Sequence, residues 1–301
     1  MIKQLLSLAL VLTTSFLSGT ELVVLGIAQD AGYPQAGCYK PHCMPGWEDK
    51  NKRLGATSIA VINPEAKSTL VFEATPDMPD QLYQLEQAAP GYSLDGVFLT
   101  HAHIGHYTGL MYFGHEAMGA KNVPVFAMPR MSSYLQTNGP WSQLVNYKNI
   151  NLKLLKADQA VMVKGVEITP VIVPHRDEYS ETVGYYIKGP ERTALFIPDI
   201  NKWQLWKRDL ATEVAKVDYA LIDATFYADG EIPGRAMEDI PHPFVVESMA
   251  LFKDASVKEK AKVHFIHFNH TNPLLSPSSD ASEFVLSKGF KIARPGMRLP
   301  L

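Results

Sequence analysis

The chain is short of several features that would set it apart from ordinary globular proteins. Its 28 lysines and arginines do not outnumber its 31 aspartates and glutamates, and the formal net charge is -3. No basic excess therefore asks for nucleic acid. No low-complexity linker divides the chain into two halves. The apolar stretch from Leu5 to Leu17 falls short of the roughly 20 residues that a stable membrane span needs, and no cysteine closes it, so a lipid anchor is not indicated. Only two cysteines occur, Cys38 and Cys43. In an oxidising compartment they can form a disulfide. With His42 between them they can equally hold a structural zinc.

What is present fits a sizeable core: 46% of the 301 residues are hydrophobic and 20% are charged, enough for one large domain or two small ones. The N-terminus differs in kind. Lys3 supplies a positive charge, the apolar run Leu5 to Leu17 follows, and Ser18, Gly19 and Thr20 supply small residues at its exit. That is the layout of a secretory signal peptide. Residues 1–20 are therefore expected to be a signal peptide, sending residues 21–301 out of the cytoplasm to the periplasm or beyond.

The most telling stretch is Thr100-His101-Ala102-His103-Ile104-Gly105-His106, directly after the apolar run Val97-Phe98-Leu99. A single histidine is ordinarily a surface or core residue. Three in six residues, in a chain with ten, put imidazoles on a loop at a strand end, and neutral imidazole is the commonest protein ligand for zinc. His101 and His103 are two apart and point the same way on an extended segment.

Taken in order, the pattern gives a strand from Glu21 to Ile27, then a hairpin from Thr57 to Phe72. An amphipathic helix over Met78 to Ala88, the strand before His101, a helix over Tyr107 to Met118 and a strand over Val123 to Ala127 come next. Residues 128–149 read as a looser region. A second series repeats the style, with strands near residues 152–155, 160–163, 166–173, 182–187, 193–197, 219–222 and 263–267. Its helices fall near residues 205–216, 243–252 and 279–287, and a short strand at 290–292 closes it. Two such series predict two sheets packed face to face, with helices outside and strand-end loops meeting along one rim.

Further candidate ligands stand at strand exits. His175 follows Val171-Ile172-Val173-Pro174, Asp199 follows Leu195-Phe196-Ile197-Pro198, and His267 and His270 close the run from Val263. Histidines with one shareable carboxylate suit one or two divalent cations. Such a site acidifies bound water to a pKa of roughly 7 and yields hydroxide as a nucleophile.

With these motifs in this order, the chain resembles the metallo-β-lactamase superfamily over roughly residues 21 to 300. His101, His103 and His106 match the family's HxHxDH, His175 its third motif, Asp199 its bridging aspartate and His267 its last ligand. Asp77 stands where the family has a structural aspartate before a helix. The resemblance implies an α/β fold, an αββα sandwich of two mixed sheets flanked by helices with the metal site along one edge. It implies Zn2+, or Mn2+ or Fe2+, as the cofactor and a small molecule as the substrate. One position departs: the family's Asp in HxHxDH, a ligand of the second metal, is Gly105 here. That leaves His106, Asp199 and His267 one ligand short. A different side chain completes the site, water fills in, or one metal binds weakly.

Within the superfamily the likeness is greatest to the pyrroloquinoline quinone biosynthesis protein B type and to the cyclic phosphodiesterases of phosphonate metabolism. It is carried by Leu25 to Gln35 and Ile266 to Pro273. In these relatives an N-terminal cysteine cluster and a late histidine hold a structural zinc, which maps onto Cys38, Cys43 and His270 with His42 as a fourth ligand. The relatives carry a further cysteine where Lys40 stands. Their general acid for the leaving group maps onto His242, between Pro241 and Pro243. The reading that follows is an exported metal-dependent hydrolase in which metal-bound hydroxide attacks a phosphodiester or related ester. Asp199 and the histidines would hold the metal, and His242 would protonate the leaving group. Two other readings stand beside it: a metal-dependent oxidoreductase or hydroxylase of quinone-cofactor synthesis, and a degenerate metal-binding protein suggested by Gly105.

Overall fold

The computed structural model describes residues 19–236 and 239–301, so the signal-peptide expectation falls almost wholly outside the described residues. Among the described residues, fourteen strands form two seven-stranded sheets. The first contains β1 (Glu21–Gly26), β2 (Ser58–Asn63), β3 (Ser68–Phe72), β4 (Ser93–Phe98), β5 (Val123–Ala127) and β6 (Ile150–Leu154). The second contains β7 (Val161–Val163), β8 (Val166–Ile172), β9 (Val183–Lys188), β10 (Thr193–Ile197), β11 (Tyr219–Asp223), β12 (Val263–Ile266) and β13 (Lys291–Ile292). The last strand, β14 (Arg298–Pro300), returns to pair with β1 and closes the edge of the first sheet.

Both sheets are mixed in the same way. In the first, β14-β1-β2-β3 are antiparallel and β3-β4-β5-β6 parallel. In the second, β7-β8-β9-β10 are antiparallel and β10-β11-β12-β13 parallel. Parallel neighbours share their C-terminal ends, so β3 and β4 deliver their exit loops to the same side, as do β10, β11 and β12. This places residues from distant parts of the chain on one rim.

Period-2 alternation sorts side chains between two layers. Leu22 and Val24 face the inter-sheet core with Phe72, Phe98, Tyr185, Ile187 and Phe196. Val23 and Leu25 face the other way, onto Leu85 of the helix Met78–Ala88. All of β1 is buried, as expected for a strand covered on both faces. At the centre Phe72 stacks on Phe98 at 4.8 Å between ring centroids, and Phe98 on Phe126 at 4.4 Å.

Two segments differ from the sequence expectation. Residues 128–149 are not loose: helices Pro129–Thr137 and Trp141–Asn146 pack Met131, Leu135, Trp141 and Leu144 against the outer face of the first sheet. Asn138, Gly139 and Pro140 interrupt the helix without ending the apolar stripe. Conversely, the helix expected over Tyr107 to Met118 is one α-turn, Ile104–Tyr107, followed by a 3₁₀ segment, Thr108–Phe113. Gly109 sits so close to the preceding loop that a Cβ there would fall on the carbonyl oxygen of Thr75. Asp77 stands directly before the helix Met78–Ala88, and its Oδ2 accepts from the Ala56 amide at 2.7 Å, which ties the loop before β2 to the helix start.

Candidate metal centre

The strand-exit rule applies to every member of the centre. The loop after β4 carries His101, His103 and His106, the loop after β8 His175, the loop after β10 Asp199 and the loop after β12 His267. His101, His106, His175, Asp199 and His267 are all buried. Four of the expected ligands, His101, His103, His175 and Asp199, offer atoms lying within 4.8 Å of one another. The separations are 2.8 Å for His101 Nε2 to His103 Nδ1, 3.2 Å for His175 Nε2 to His103 Nδ1, 3.4 Å for His101 Nε2 to Asp199 Oδ2 and 3.2 Å for His175 Nε2 to Asp199 Oδ2. Ligands about 2.0–2.1 Å from a tetrahedral zinc stand about 3.3 Å apart, so the donor set fits one ion.

Each ring is aimed by a second partner, as ligating histidines usually are. Thr100 Oγ1 meets His101 Nδ1 at 2.9 Å, Asn201 Oδ1 meets His175 Nδ1 at 3.1 Å, and Glu178 Oε2 meets His103 Nε2 at 3.0 Å. The fully buried Glu73 carboxylate takes His106 Nδ1 at 2.7 Å. The Thr225 hydroxyl donates to Asp223 Oδ1 at 2.7 Å and so accepts from His267 Nδ1 at 2.9 Å. That chain leaves Nε2 of His106 and of His267 facing the centre. Neither has a hydrogen-bond partner, and Asp199 Oδ1 has none either. Buried polar atoms left without partners are costly and rare, and a cation satisfies all three. The backbone is strained at the same place: Glu73 (φ +81°) and His267 (φ +70°) adopt left-handed conformations that side chains disfavour.

Electrostatics agree with a cation site. Burial, reinforced by the charge of neighbouring His106, pushes His101 well below the ordinary imidazole value. Burial also opposes charge on His106, yet Glu73, Asp30 and Asp199 raise its pKa well above normal. Asp199 is held well below the usual carboxylate range, against burial, by His175, His242 and the hydrogen bond from His101. The carboxylates of Glu73, Asp30 and Asp199, which draw a proton to His106, also lower the cost of placing a cation in the centre.

His242 lies beside this centre. Its Nδ1 is 2.9 Å from Asp223 Oδ2 and 3.3 Å from Asp199 Oδ1. Against burial, those carboxylates raise its pKa to about 9. The second expected cluster, Cys38, His42, Cys43 and His270, also converges within 4.8 Å. Its two sulfurs are bonded as a disulfide, and His42 Nε2 lies 3.4 Å from Cys38 Sγ. A bonded pair has no thiolate to give, so with the disulfide formed the cluster offers a metal only the imidazoles of His42 and His270, not the four-ligand set expected from the sequence. A cleft of about 640 Å³ lined by Tyr33, His42, Leu54, His270 and Arg294 lies beside this cluster and away from the histidine centre.

Sequence reasoning missed four residues at the centre: Asp30, Glu73, Asp223 and Thr225. Three of them obey the rule that found Asp199. Glu73 follows β3, Asp223 ends β11, and Asp30 stands four residues past β1. Asp30, His106 and His267 offer atoms within 4.8 Å of one another. Trp203 and Trp206, just beyond Asp199, are buried in the core, their indole N–H groups donating to Ser248 Oγ and the Ile172 carbonyl.

Comparison with known proteins agrees with this architecture. The family model described as a beta-lactamase superfamily domain matches residues 68–267. That span takes in the centre from Glu73 to His267 but not Asp30 or the cysteines. A curated relative, coenzyme PQQ synthesis protein B of Methylobacterium sp. (strain 4-46), is 23% identical over 308 residues, covering 93% of this chain and 100% of its own. Zinc-bound PqqB from Methylobacterium extorquens superposes with a TM-score of 0.76 at 22% identity, covering 93% of this chain and 100% of that one. A diphosphatase of the PhnP family gives 0.65 at 19% identity, covering 94% and 97%. At these identities the two solved structures attest the fold.

Proposed function

The chain belongs to the beta-lactamase superfamily, and on that premise we propose that it is an exported metal-dependent hydrolase of a phosphodiester or related ester. The carrying observation is the convergence of His101, His103, His175 and Asp199 on one point, with Asp199 Oδ1 turned toward His242 and free of hydrogen bonds. A divalent cation held by these four residues supplies Lewis acidity and an acidified water as nucleophile. Zn2+ suits the imidazole-rich set, with Mn2+ and Fe2+ as substitutes. The chain's own residues do the rest. Asp199 lies between the His101–His103–His175 group and His106, and its Oδ2 is 3.8 Å from His106 Nε2. Asp223 holds His242 by Nδ1, which frees the far nitrogen to protonate the departing alkoxide as the phosphorus–oxygen bond breaks. Export is supported by the N-terminal apolar run and by the Cys38–Cys43 pair, which suits an oxidising compartment.

The test is turnover of a chromogenic phosphodiester by the purified protein. We expect hydrolysis that a chelator abolishes, and a fall of about 10²–10⁴-fold in kcat for His242→Ala with metal content unchanged. A protein loaded with metal that hydrolyses no phosphodiester, lactone or β-lactam sinks the reading.

A second reading is favoured by the relatives' name, coenzyme PQQ synthesis protein B: a metal-dependent oxidoreductase or hydroxylase acting on a quinone-cofactor precursor. Iron in the centre and oxygen uptake with such a precursor distinguish it from the hydrolase.

A further inference from the structure

Gly105 leaves the second half of the centre without its usual carboxylate, and the structure puts another carboxylate in its place. Asp30 Oδ1 lies 3.6 Å from His106 Nε2, too far for a good hydrogen bond but a natural spacing for two ligands of one ion. Two further observations point to the same spot. The Nε2 atoms of His106 and His267 are fully buried, face it and have no partner. The loop that carries Asp30 is tied to the loop that carries His267: the Gln29 amide donates to the Phe268 carbonyl and the Phe268 amide to the Ile27 carbonyl, each at 2.8 Å.

Gly105 is what lets Asp30 in. A Cβ built at position 105 would fall on Asp30 Cα and come within 2.8 Å of its carbonyl oxygen. An aspartate at 105 and the observed path of Asp30 exclude each other. Asp30 also has φ +43°, a left-handed conformation that aspartate tolerates better than most residues. The missing ligand and the newcomer are thus two sides of one steric fact.

We propose that Asp30 replaces the absent carboxylate of the HxHxDH motif and, with His106, His267 and the shared Asp199, holds a second divalent cation. The proposal rests on the reading of the centre as a metal site and concerns only which residues bind. Asparagine keeps the shape and left-handed tolerance of Asp30, and glycine adopts φ +43° without strain, so both variants preserve the loop. The experiment is the metal-to-protein ratio, by elemental analysis after gel filtration, of the wild type, Asp30→Asn and Asp30→Gly. We expect both variants to carry one equivalent less than the wild type. Differences are read, so an ion at Cys38 and Cys43 cancels. Ratios equal to that of the wild type in both variants overturn the assignment. Hydrolysis is a separate readout. Loss of an equivalent in a protein that never hydrolyses an ester leaves Asp30 standing and defeats the hydrolase; hydrolysis with unchanged ratios does the reverse.

Discussion

At the residue scale, the histidines were legible because each stands where an apolar run stops, and a run of apolar residues is visible without structure. Glu73 and Asp223 stand at the same kind of position, yet carboxylates at strand ends are common as caps and turns, so nothing in the chain alone lifted them out. Asp30 was hidden for a different reason. Its role depends on a contact with Gly105, 75 residues away in sequence, which only the folded backbone displays. Glu73 offers a direct check. Its buried carboxylate orients His106 from behind, and such outer partners are worth about 10–100-fold in metal affinity. Glu73→Gln keeps the shape but not the charge. It should weaken binding of the ion at His106 by that factor in a competition titration against a chromogenic chelator. An unchanged affinity would show that Glu73 serves only the fold.

At the scale of elements, strands were read more accurately than helices. Buried strands such as β1 and β10 are apolar runs after one polar residue, whereas the helices Pro129–Thr137 and Trp141–Asn146 are separated by Asn138, Gly139 and Pro140. Local breakers there lose to a shared apolar stripe. The helix expected from Leu205 begins at Leu210 instead, because Asp209 caps it: its Oδ1 accepts from the Thr212 amide at 2.8 Å and from the Thr212 hydroxyl at 2.6 Å. Those bonds lower the Asp209 pKa below its ordinary value. A depressed carboxylate contributes stability that is fully present above its unfolded pKa of about 3.9 and fades as pH falls through the folded value. Asp209→Ala should therefore cost about 0.5–2 kcal/mol near neutral pH, measured by urea unfolding. The difference from the wild type should shrink below about pH 4. A penalty that persists undiminished in acid would contradict the capping account.

At the scale of the whole molecule, two like series of strands were visible in sequence, but their pairing was not. β14 returning from the C-terminus to the edge of β1 is a contact between chain ends that no local pattern encodes. The face-to-face packing of the two sheets gathers ligands from the loops after β4, β8, β10 and β12 onto one rim. Function here belongs to the assembled rim, since no single loop carries a complete donor set. The most direct test is to strip the protein with a chelator and titrate Zn2+ back while following both bound metal and hydrolysis of a chromogenic phosphodiester. The account predicts no turnover in the stripped protein and a rate that rises with each equivalent bound at the histidine centre. Full binding of the ion with hydrolysis no faster than the blank would contradict it.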